Sequence, residues 1–486
     1  QGKSMTAKCV MVLGTTSGAG KSWLTTALCR WYARQGLKVA PFKAQNMSNN
    51  ARVVGGGEIG SAQYFQALAA RAVPEVRMNP LLLKPERDTH SQVVLMGQVS
   101  EELSRMPWRG RSERVWPQIA QALDELRAGN DVVVIEGAGS PAEINLHGSD
   151  IVNMRVALHA QARCLLVTDI DRGGAFAHLY GTWALLPEAE RALIKGFVLN
   201  KFRGDATLLA PAPQMLQELT GVPTVATLPM WRRHGLPEED GVFDDRSVAA
   251  GVVSKTIAVV AYPRISNLDE FQPLKNVPDL RLVWARSPAD VVGADWIILP
   301  GSKHTSGDLA WLRAQGLDCV IATHAAKGGA VLGICGGLQM LGEALIDPHG
   351  IDGNGPGLGL LPLVTLFEHD KTVRHRTAAF STLSGPWAAL SGVAVQGYEI
   401  HHGQTAEHSA MAAAGQRAHG VMPEGLAWQN DTGNVLGLYL HGLFEDPAAL
   451  QALFGATVPT LDAVFDGLAD YIDQHFESGV LQALVA

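Results

Sequence analysis

Short apolar runs alternate with segments of helical spacing along the first half of the chain. The run 8–14 (KCVMVLG) is typical of a strand buried in a parallel sheet. The segment after it has Leu24, Leu28 and Trp31 on one helical face, and Gly36 is placed to end that helix. The same alternation recurs and predicts a doubly wound α/β domain. The further predicted strands cover residues 37–43, 131–139, 162–171, 195–202 and 224–229.

A second alternating series follows a break rich in charges, glycine and proline at residues 231–255. We therefore predict two doubly wound domains, 5–230 and 256–486, joined by a linker over 231–255. We predict a closing helix from about residue 461 to 484. The strands predicted for the second domain cover residues 256–263, 280–285, 295–302, 329–337 and 434–442.

Composition narrows the class of protein. Of the 486 residues, 47% are hydrophobic and 18% are charged, which is ordinary for a globular protein. The net charge of −8 argues against binding of nucleic acid or an anionic membrane. Five cysteines without Cys-x-x-Cys spacing fit a reducing cytoplasm, and we find no apolar run of about 18 residues. We expect the natural chain to begin at Met5, without a signal peptide.

A glycine-rich loop, GTTSGAGKS, follows the first predicted strand. It resembles a phosphate-binding loop, but its first glycine is Gly14, one position early, and Thr15 stands where the usual pattern has glycine. Gly20 lies at the loop's turn into the helix, where backbone N–H groups favour an anion. Lys21 would neutralise phosphate charge, and the Ser22 hydroxyl would bind Mg²⁺. The blander alternative is a structural glycine turn.

The longer loop resembles that of dethiobiotin synthetase and its relatives, which use ATP to activate a carboxylate-type group. The resemblance implies ATP and Mg²⁺ as cofactors. It assigns Glu136, at the end of VVVIEGAGS, to the metal, Lys43 to the γ-phosphate, and Asn200 to the neighbourhood of the adenine.

The second domain contains LGICGGLQMLG, a predicted strand followed by a cysteine, two glycines and a helical run. This pattern is typical of a nucleophile elbow, with Cys335 exposed at a helix N-terminus; an inert buried cysteine is the alternative. The motif resembles class I glutamine amidotransferases. The resemblance implies Cys335 as nucleophile, Gln339 as a glutamine-binding residue, the N–H groups of Gly301 and Gly336 as oxyanion donors, and His441 as base and acid.

Class I enzymes usually follow the catalytic histidine with a glutamate two residues later, but Leu443 occupies that position here. The sequence therefore predicts a Cys–His dyad, and Glu445 is too far along to be assumed a substitute. We expect His401 and His402 to be structural or to face a substrate rather than to act as base.

The two halves together resemble the cobalamin-pathway amidases, and KAQNMSNN, EINL, DIVNM and DIDRGGAFA resemble the cobyric acid synthase family in particular. The resemblance implies ATP- and glutamine-dependent amidation of the b, d, e and g carboxylates of adenosylcobyrinic acid a,c-diamide. Two alternatives stay open: the sister enzyme that amidates the a and c carboxylates, and a P-loop switch protein with a non-catalytic second domain.

A corrinoid polycarboxylate would need polar and basic contacts, and L-glutamine is the second expected partner. Arg155, Arg172 and the loop residues Asn46, Asn49 and Asn50 are candidates, with a structural role as the alternative. The sequence does not predict the oligomeric state.

Overall fold

A computed structural model describes residues 6–87, 89–143, 150–232, 234–237 and 253–486. Met5, most of the predicted linker 231–255, and residues 144–149, which include all of the EINL motif except Glu143, lie outside the described residues.

The first half of the chain builds a six-stranded parallel sheet in which the loop-bearing strand is central. Its strands are continuous apolar runs with almost no exposed residue, as expected when helices cover both faces. All six strands predicted from the sequence are present. From one edge to the other the order is Thr224–Pro229, Ile194–Phe202, Arg163–Asp169, Lys8–Gly14, Val132–Glu136 and Val39–Phe42.

The second half builds a seven-stranded sheet with five parallel strands, each of them predicted, and two antiparallel strands at one edge. Four of the five predicted strands end before their predicted bounds: the strand predicted over 256–263 stops at Val260, and the one over 295–302 stops at Leu299. The strand predicted over 329–337 stops at Ile334, and the one over 434–442 stops at Leu438. The order is Leu280–Ala285, Lys255–Val260, Trp296–Leu299, Ala330–Ile334, Val435–Leu438, Ala427–Gln429 and His419–Gly420.

Helices cover both sheets. In the first half the α-helices are Lys21–Arg34, Ser61–Ala69, Glu101–Arg105, Trp108–Ala128, Met154–Ala160, Ala175–Leu185, Glu188–Arg191 and Ala212–Thr220. In the second half they are Thr305–Ala314, Leu317–Ala326, Gly336–Leu341, Ser409–Ala413, Pro447–Phe454, Leu461–His475 and Val480–Ala483. The 3-10 helices are Val76–Met78, Ile170–Arg172, Ala206–Leu209, Leu268–Asn276, Pro288–Val291, Gly385–Leu390, Pro423–Gly425 and Leu443–Glu445.

Four smaller sheets, which the sequence did not predict, accompany the two large ones, and strands of two of them contact each other across the two halves. The first half adds one four-stranded sheet, Gln45–Met47, Leu81–Arg87, His90–Leu95 and Gln98–Val99, and the hairpin Ala51–Val54 with Gly57–Gly60. The second half adds the pair Ile265–Ser266 with Gly301–Ser302, and the sheet of Gly355–Pro356, Ala344–Ile346, Leu363–Ala379 and Ala394–Glu407.

The end of the chain packs against the first sheet rather than the second. Helix Leu461–His475 lies along helix Lys21–Arg34 and joins the apolar core on that side of the first sheet. Buried Arg30 pairs with Asp462 at 2.8 Å and with Asp466 at 3.1 Å. The predicted boundary 256–486 assigns this segment to the second domain, whereas its packing belongs to the first. None of the described helices is long and apolar enough to cross a membrane.

Candidate active sites

The early glycine of the phosphate-binding loop has a steric reason. A Cβ on Gly14 would lie 2.9 Å from the carbonyl oxygen of Thr16 and 3.0 Å from Nζ of Lys21. Thr15, where the usual pattern has glycine, places its hydroxyl 3.0 Å from that of Thr168 on the neighbouring strand. The close approach needed at the start of the loop is therefore met at Gly14, and Thr15 ties the loop to the sheet.

Backbone and side-chain contacts hold the rest of the loop. Gly20 has a φ of 102°, and a Cβ there would lie 2.3 Å from the Asn200 amide nitrogen. Asn200 donates to the carbonyl of Ala19 at 2.9 Å, so it lies against the loop itself. Lys21 donates to the carbonyls of Thr16 at 3.0 Å and Gly139 at 3.2 Å. Ser22 is half-buried in the first turn of helix Lys21–Arg34.

Glu136 lies at the carboxyl end of its strand, next to the loop-bearing strand. One carboxylate oxygen, Oε2, is 3.0 Å from Nζ of Lys43 and accepts from Gln63 at 3.3 Å. The other oxygen, Oε1, is buried and has no hydrogen-bond partner. A buried carboxylate oxygen is rarely left unpartnered, so it fits a cation or the cation's water.

Few other side chains in the described part of the chain could bind a metal ion beside Glu136. Among the described residues no three His, Cys, Asp or Glu side chains cluster as a metal site would require. Mg²⁺ commonly keeps several waters and binds through one or two protein groups plus phosphate oxygens. Ser22 and Glu136 fit that kind of site, whereas they would not suffice for a metal held by protein ligands alone.

The candidate corrinoid residues are dispersed. Arg155 pairs with Glu113 and lies 4.3 Å from the Trp116 ring. Arg172 is two-thirds exposed and is 3.3 Å from Asp169.

The Asn-rich loop contributes to the interior. The Asn46 side chain accepts from Lys43 at 3.1 Å and donates to Gln63 at 3.1 Å, so it supports the Glu136 cluster. The Asn49 amide donates to Pro85, and Asn50 accepts a hydrogen bond from a backbone N–H of the second domain.

In the second domain, Cys335 lies in a sharp turn between strand Ala330–Ile334 and helix Gly336–Leu341. Its φ of 52° is in the left-handed region, a strained conformation that clusters at functional sites. A Cβ on Gly337 would lie 1.8 Å from the carbonyl oxygen of Leu299, so only glycine fits there. The thiol of Cys335 lies 3.4 Å from the carbonyl of Ile400. The predicted strand–turn–helix arrangement of the elbow is present, but Cys335 is buried rather than exposed as we predicted.

His441 has a carboxylate partner, which corrects the predicted dyad. Nδ1 of His441 lies 2.6 Å from Oε2 of Glu270, and the other oxygen of Glu270 accepts from the backbone N–H of Gly442 at 3.3 Å. Both side chains are buried. Burial lowers the pKa of His441, but the charge of Glu270 and hydrogen bonds to Cys335 and Glu270 outweigh it and raise that pKa to about 10.

The arrangement therefore comprises Cys335, His441 and Glu270. Sequence reasoning missed Glu270 because the usual signal is a glutamate two residues after the histidine. Glu270 instead lies in the 3-10 helix Leu268–Asn276, and no local motif connects it to His441. As expected, Glu445 does not replace it: its carboxylate pairs with Arg52.

The other predicted amidotransferase residues lie around Cys335. Gly301 lies beside His441, since a Cβ there would be 3.0 Å from Cε1 of the imidazole. A Cβ on Gly336 would lie 2.8 Å from the backbone nitrogen of Ser302, so Ser302 is an oxyanion donor candidate that the sequence did not single out. Gln339 is buried, accepts from the Thr305 hydroxyl at 3.0 Å, and lies 3.3 Å from the hydroxyl of Tyr439.

Cys335, Gln339 and His441 open into a cavity of about 650 Å³ that both halves of the chain line. His401 and His402 also lie on its wall. His401 is held by Glu399 at 3.0 Å and by a backbone carbonyl, which fits a structural role. Burial and the charges of nearby lysines lower the pKa of His402 to about 3. The side chains that the first half contributes to this wall include Asn49, Glu58, Lys84 and Gln92.

One helical turn lies between the two sites. Helix Ser61–Ala69 begins with Ser61, whose hydroxyl is 3.4 Å from a carboxylate oxygen of Asp269, the neighbour of Glu270. Two residues later Gln63 contacts Glu136 at the nucleotide loop.

Comparison with protein families covers both halves. Residues 10–240 match the family described as "CobQ/CobB/MinD/ParA nucleotide binding domain", and residues 256–449 match the "CobB/CobQ-like glutamine amidotransferase domain". The first half is therefore a nucleotide-binding domain, and the second is an amidotransferase domain.

Full-length relatives are similar over both domains. The chain is 83% identical to a cobyric acid synthase of Variovorax paradoxus, over 99% of this chain and 100% of that protein. It is 81% identical to one of Polaromonas naphthalenivorans, with the same coverage, and 66% identical to one of Leptothrix cholodnii over 99% of this chain and 97% of that protein.

Proposed function

The chain belongs to the cobyric acid synthase family, and from this premise we propose that it amidates the b, d, e and g carboxylates of adenosylcobyrinic acid a,c-diamide. Glutamine supplies the nitrogen, and ATP activates each carboxylate. The product is adenosylcobyric acid, an intermediate of cobalamin biosynthesis. L-Glutamine and a corrinoid polycarboxylate are the partners of the reaction.

The observation that carries this proposal is the Cys335–His441–Glu270 arrangement, which opens into a cavity also lined by the nucleotide-binding domain. A glutaminase facing a domain built to handle phosphate can pass ammonia to an activated acid. A P-loop switch protein has no use for an elbow cysteine with an oriented histidine.

In the glutaminase half, His441 holds the proton of Cys335, and the thiolate attacks the side-chain amide carbon of glutamine. The oxyanion forms beside the backbone N–H groups near Gly336 and Gly301. His441 then protonates the departing ammonia, and water hydrolyses the thioester to glutamate. Glu270 fixes the imidazole ring and stabilises its protonated form.

In the nucleotide half, Gly14, Gly20 and Lys21 cradle the phosphates of ATP, and Lys43 neutralises charge at the γ-phosphate. Ser22 and Glu136 would hold Mg²⁺, which when bound withdraws charge from the phosphate oxygens. Asn200 donates a hydrogen bond to the carbonyl of Ala19 and so stabilises the loop conformation. We place the adenine on this side of the loop.

The two halves join in one chemical sequence. A substrate carboxylate oxygen attacks the γ-phosphorus, ADP leaves, and an acyl phosphate forms. Ammonia attacks the acyl carbon, and phosphate leaves with the C–O electron pair. Each amide consumes one ATP and one glutamine.

The product masses test this function. Incubation with the a,c-diamide, ATP, Mg²⁺ and glutamine should yield a corrinoid carrying four new amides by mass spectrometry. Conversion of the a and c carboxylates of cobyrinic acid, with two new amides, would instead assign the sister activity. No glutamine hydrolysis under any condition would favour a switch protein.

A further inference from the structure

Glu270 lies on a segment with weak local support. It belongs to the 3-10 helix Leu268–Asn276, a geometry with poorer hydrogen bonds than the α-helix. The preceding residue, Asn267, has a φ of 55° and a ψ of 41°, the left-handed conformation that is uncommon outside glycine. Such a segment keeps its shape only when its surroundings fix it.

The nucleotide-binding domain provides that support through residues 50–52. The side chain of Asn50 accepts from the backbone N–H of Leu268 at 2.9 Å, and the backbone N–H of Ala51 donates to the side chain of Asn267 at 3.0 Å. Both bonds cross from one domain to the other and hold the residues just before Glu270.

Arg52 completes the contact with two carboxylates of the amidotransferase domain. Its Nε donates to Asp269 at 3.2 Å, its Nη1 donates to Glu445 at 2.8 Å, and its Nη2 contacts both. The guanidinium is buried and faces the aromatic rings of Tyr64, Phe65 and Tyr398. A planar fork can bridge two carboxylates in this way, whereas the compact ammonium of lysine cannot.

The segment that carries Glu270 also contacts the face of the His441 ring, through Tyr398. Tyr398 stacks on His441, with ring centroids 5.2 Å apart and an interplanar angle of 23°. Its hydroxyl accepts from the Asn267 amide at 3.2 Å. His441 thus has Glu270 at Nδ1, Tyr398 on its ring face and Cys335 as its hydrogen-bonded neighbour. Arg52, Asp269 and Glu445 form a layer of charged side chains behind these residues.

We propose that Arg52, a residue of the nucleotide-binding domain, is a positioning residue of the glutaminase. It fixes Asp269 and Glu445, with Asn50 securing the same segment, so that Glu270 meets His441 at hydrogen-bonding distance. The glutaminase site is then complete only while the hairpin Ala51–Gly60 is docked. This inference rests on the proposed glutamine hydrolysis.

The test is the reactivity of Cys335 toward iodoacetamide as a function of pH, read at the Cys335 peptide by mass spectrometry. In Arg52→Met we expect half-maximal alkylation at higher pH than in the wild type, because Glu270 no longer stabilises the imidazolium that favours the thiolate. We also expect kcat for glutamine hydrolysis to fall about tenfold or more, the size of effect expected when one charge-assisted hydrogen bond is lost. KM should change less.

A purely electrostatic role predicts a shift in the same direction, because loss of the Arg52 cation also disfavours the Cys335 thiolate. It differs in predicting that Arg52→Lys, which keeps the charge, restores the whole wild-type profile, and that result would overturn the proposal. A downward shift, or an unchanged profile with normal turnover, would overturn the proposal. Arg52→Lys, which keeps the charge without the fork, should restore only part of the wild-type profile.

Two further variants separate positioning from loss of stability. Arg30 is another buried arginine with two carboxylate partners, but these partners lie on helix Leu461–His475, which packs against the first sheet. Arg30→Met should therefore lower the melting temperature without changing the pH profile of Cys335 alkylation. If Arg52→Met fails to fold, Asn50→Ala decides: an upward shift supports the proposal and an unmoved profile contradicts it. Alkylation needs neither glutamine nor corrinoid, so its outcome is independent of whether the proposed amidation is correct.

Discussion

Nδ1 of His441 lies 2.6 Å from Oε2 of Glu270, although the two residues are 171 positions apart in the chain. Both side chains are buried, and burial by itself would favour a neutral imidazole. The carboxylate and the neighbouring thiol reverse that preference and raise the pKa of His441 to about 10. The geometry thus places beside Cys335 an imidazole whose protonated form Glu270 stabilises.

Glu270→Gln should slow glutamine hydrolysis on the order of 10³-fold, as expected for removal of the carboxylate that orients a catalytic histidine. The sign of the pH effect follows from the charges. Loss of the anion lowers the pKa of His441 from about 10 toward its ordinary value, so the imidazolium is lost at lower pH. Alkylation of Cys335 should then require higher pH than in the wild type.

The matched control for this variant is Glu424→Gln. Glu424 pairs with Arg376 on the surface of the same domain, so its neutralisation should leave hydrolysis and alkylation unchanged. If Glu270→Gln retains wild-type hydrolysis at pH 7, Cys335 and His441 function as a dyad after all.

Cys335→Ser should abolish glutamine-dependent amidation and spare amidation driven by ammonium salts at raised pH. Only glutamine hydrolysis needs the thiolate, whereas free ammonia reaches the activated carboxylate directly. The measurement is corrinoid amide formation with each nitrogen source. Cys319→Ser, at an exposed cysteine, is the control. Full glutaminase turnover in Cys335→Ser would remove Cys335 as nucleophile.

Local patterns predicted the two parallel sheets and the elbow, because buried strands and glycine turns leave continuous signals in the sequence. The partner of His441 left no such signal. Glu270 reaches the imidazole through the path of a 3-10 helix and a contact with the other domain, and both depend on tertiary packing. For the same reason Asn50, which the sequence offered as a corrinoid contact, lies at the domain interface.

Lys21→Ala should impair both nitrogen routes, since each needs ATP. The loss of charge neutralisation at the phosphates is expected to cost about 3 kcal/mol of transition-state stabilisation. The rates of amide formation with glutamine and with ammonia measure this loss. The melting temperature reports any destabilisation from losing the Lys21 hydrogen bonds to Thr16 and Gly139. Lys195→Ala, at an exposed lysine in a strand of the same sheet, should behave as the wild type. Near-normal amidation by Lys21→Ala would contradict the phosphate-binding role of the loop.

The loop GTTSGAGKS, with its early Gly14, is proposed to serve attack by a substrate carboxylate rather than by water. ATP turnover should therefore depend on the corrinoid acid and be slow in its absence. With ¹⁸O in the substrate carboxylates, each amide formed should release one phosphate carrying one ¹⁸O. The label enters as the bridging oxygen of the acyl phosphate and leaves with phosphate when ammonia displaces it.

The complementary experiment uses unlabelled substrate in H₂¹⁸O and should leave the phosphate unlabelled. Phosphate that instead takes its oxygen from water would rule out the acyl phosphate and recast the nucleotide-binding domain as an ATPase that drives a conformational change.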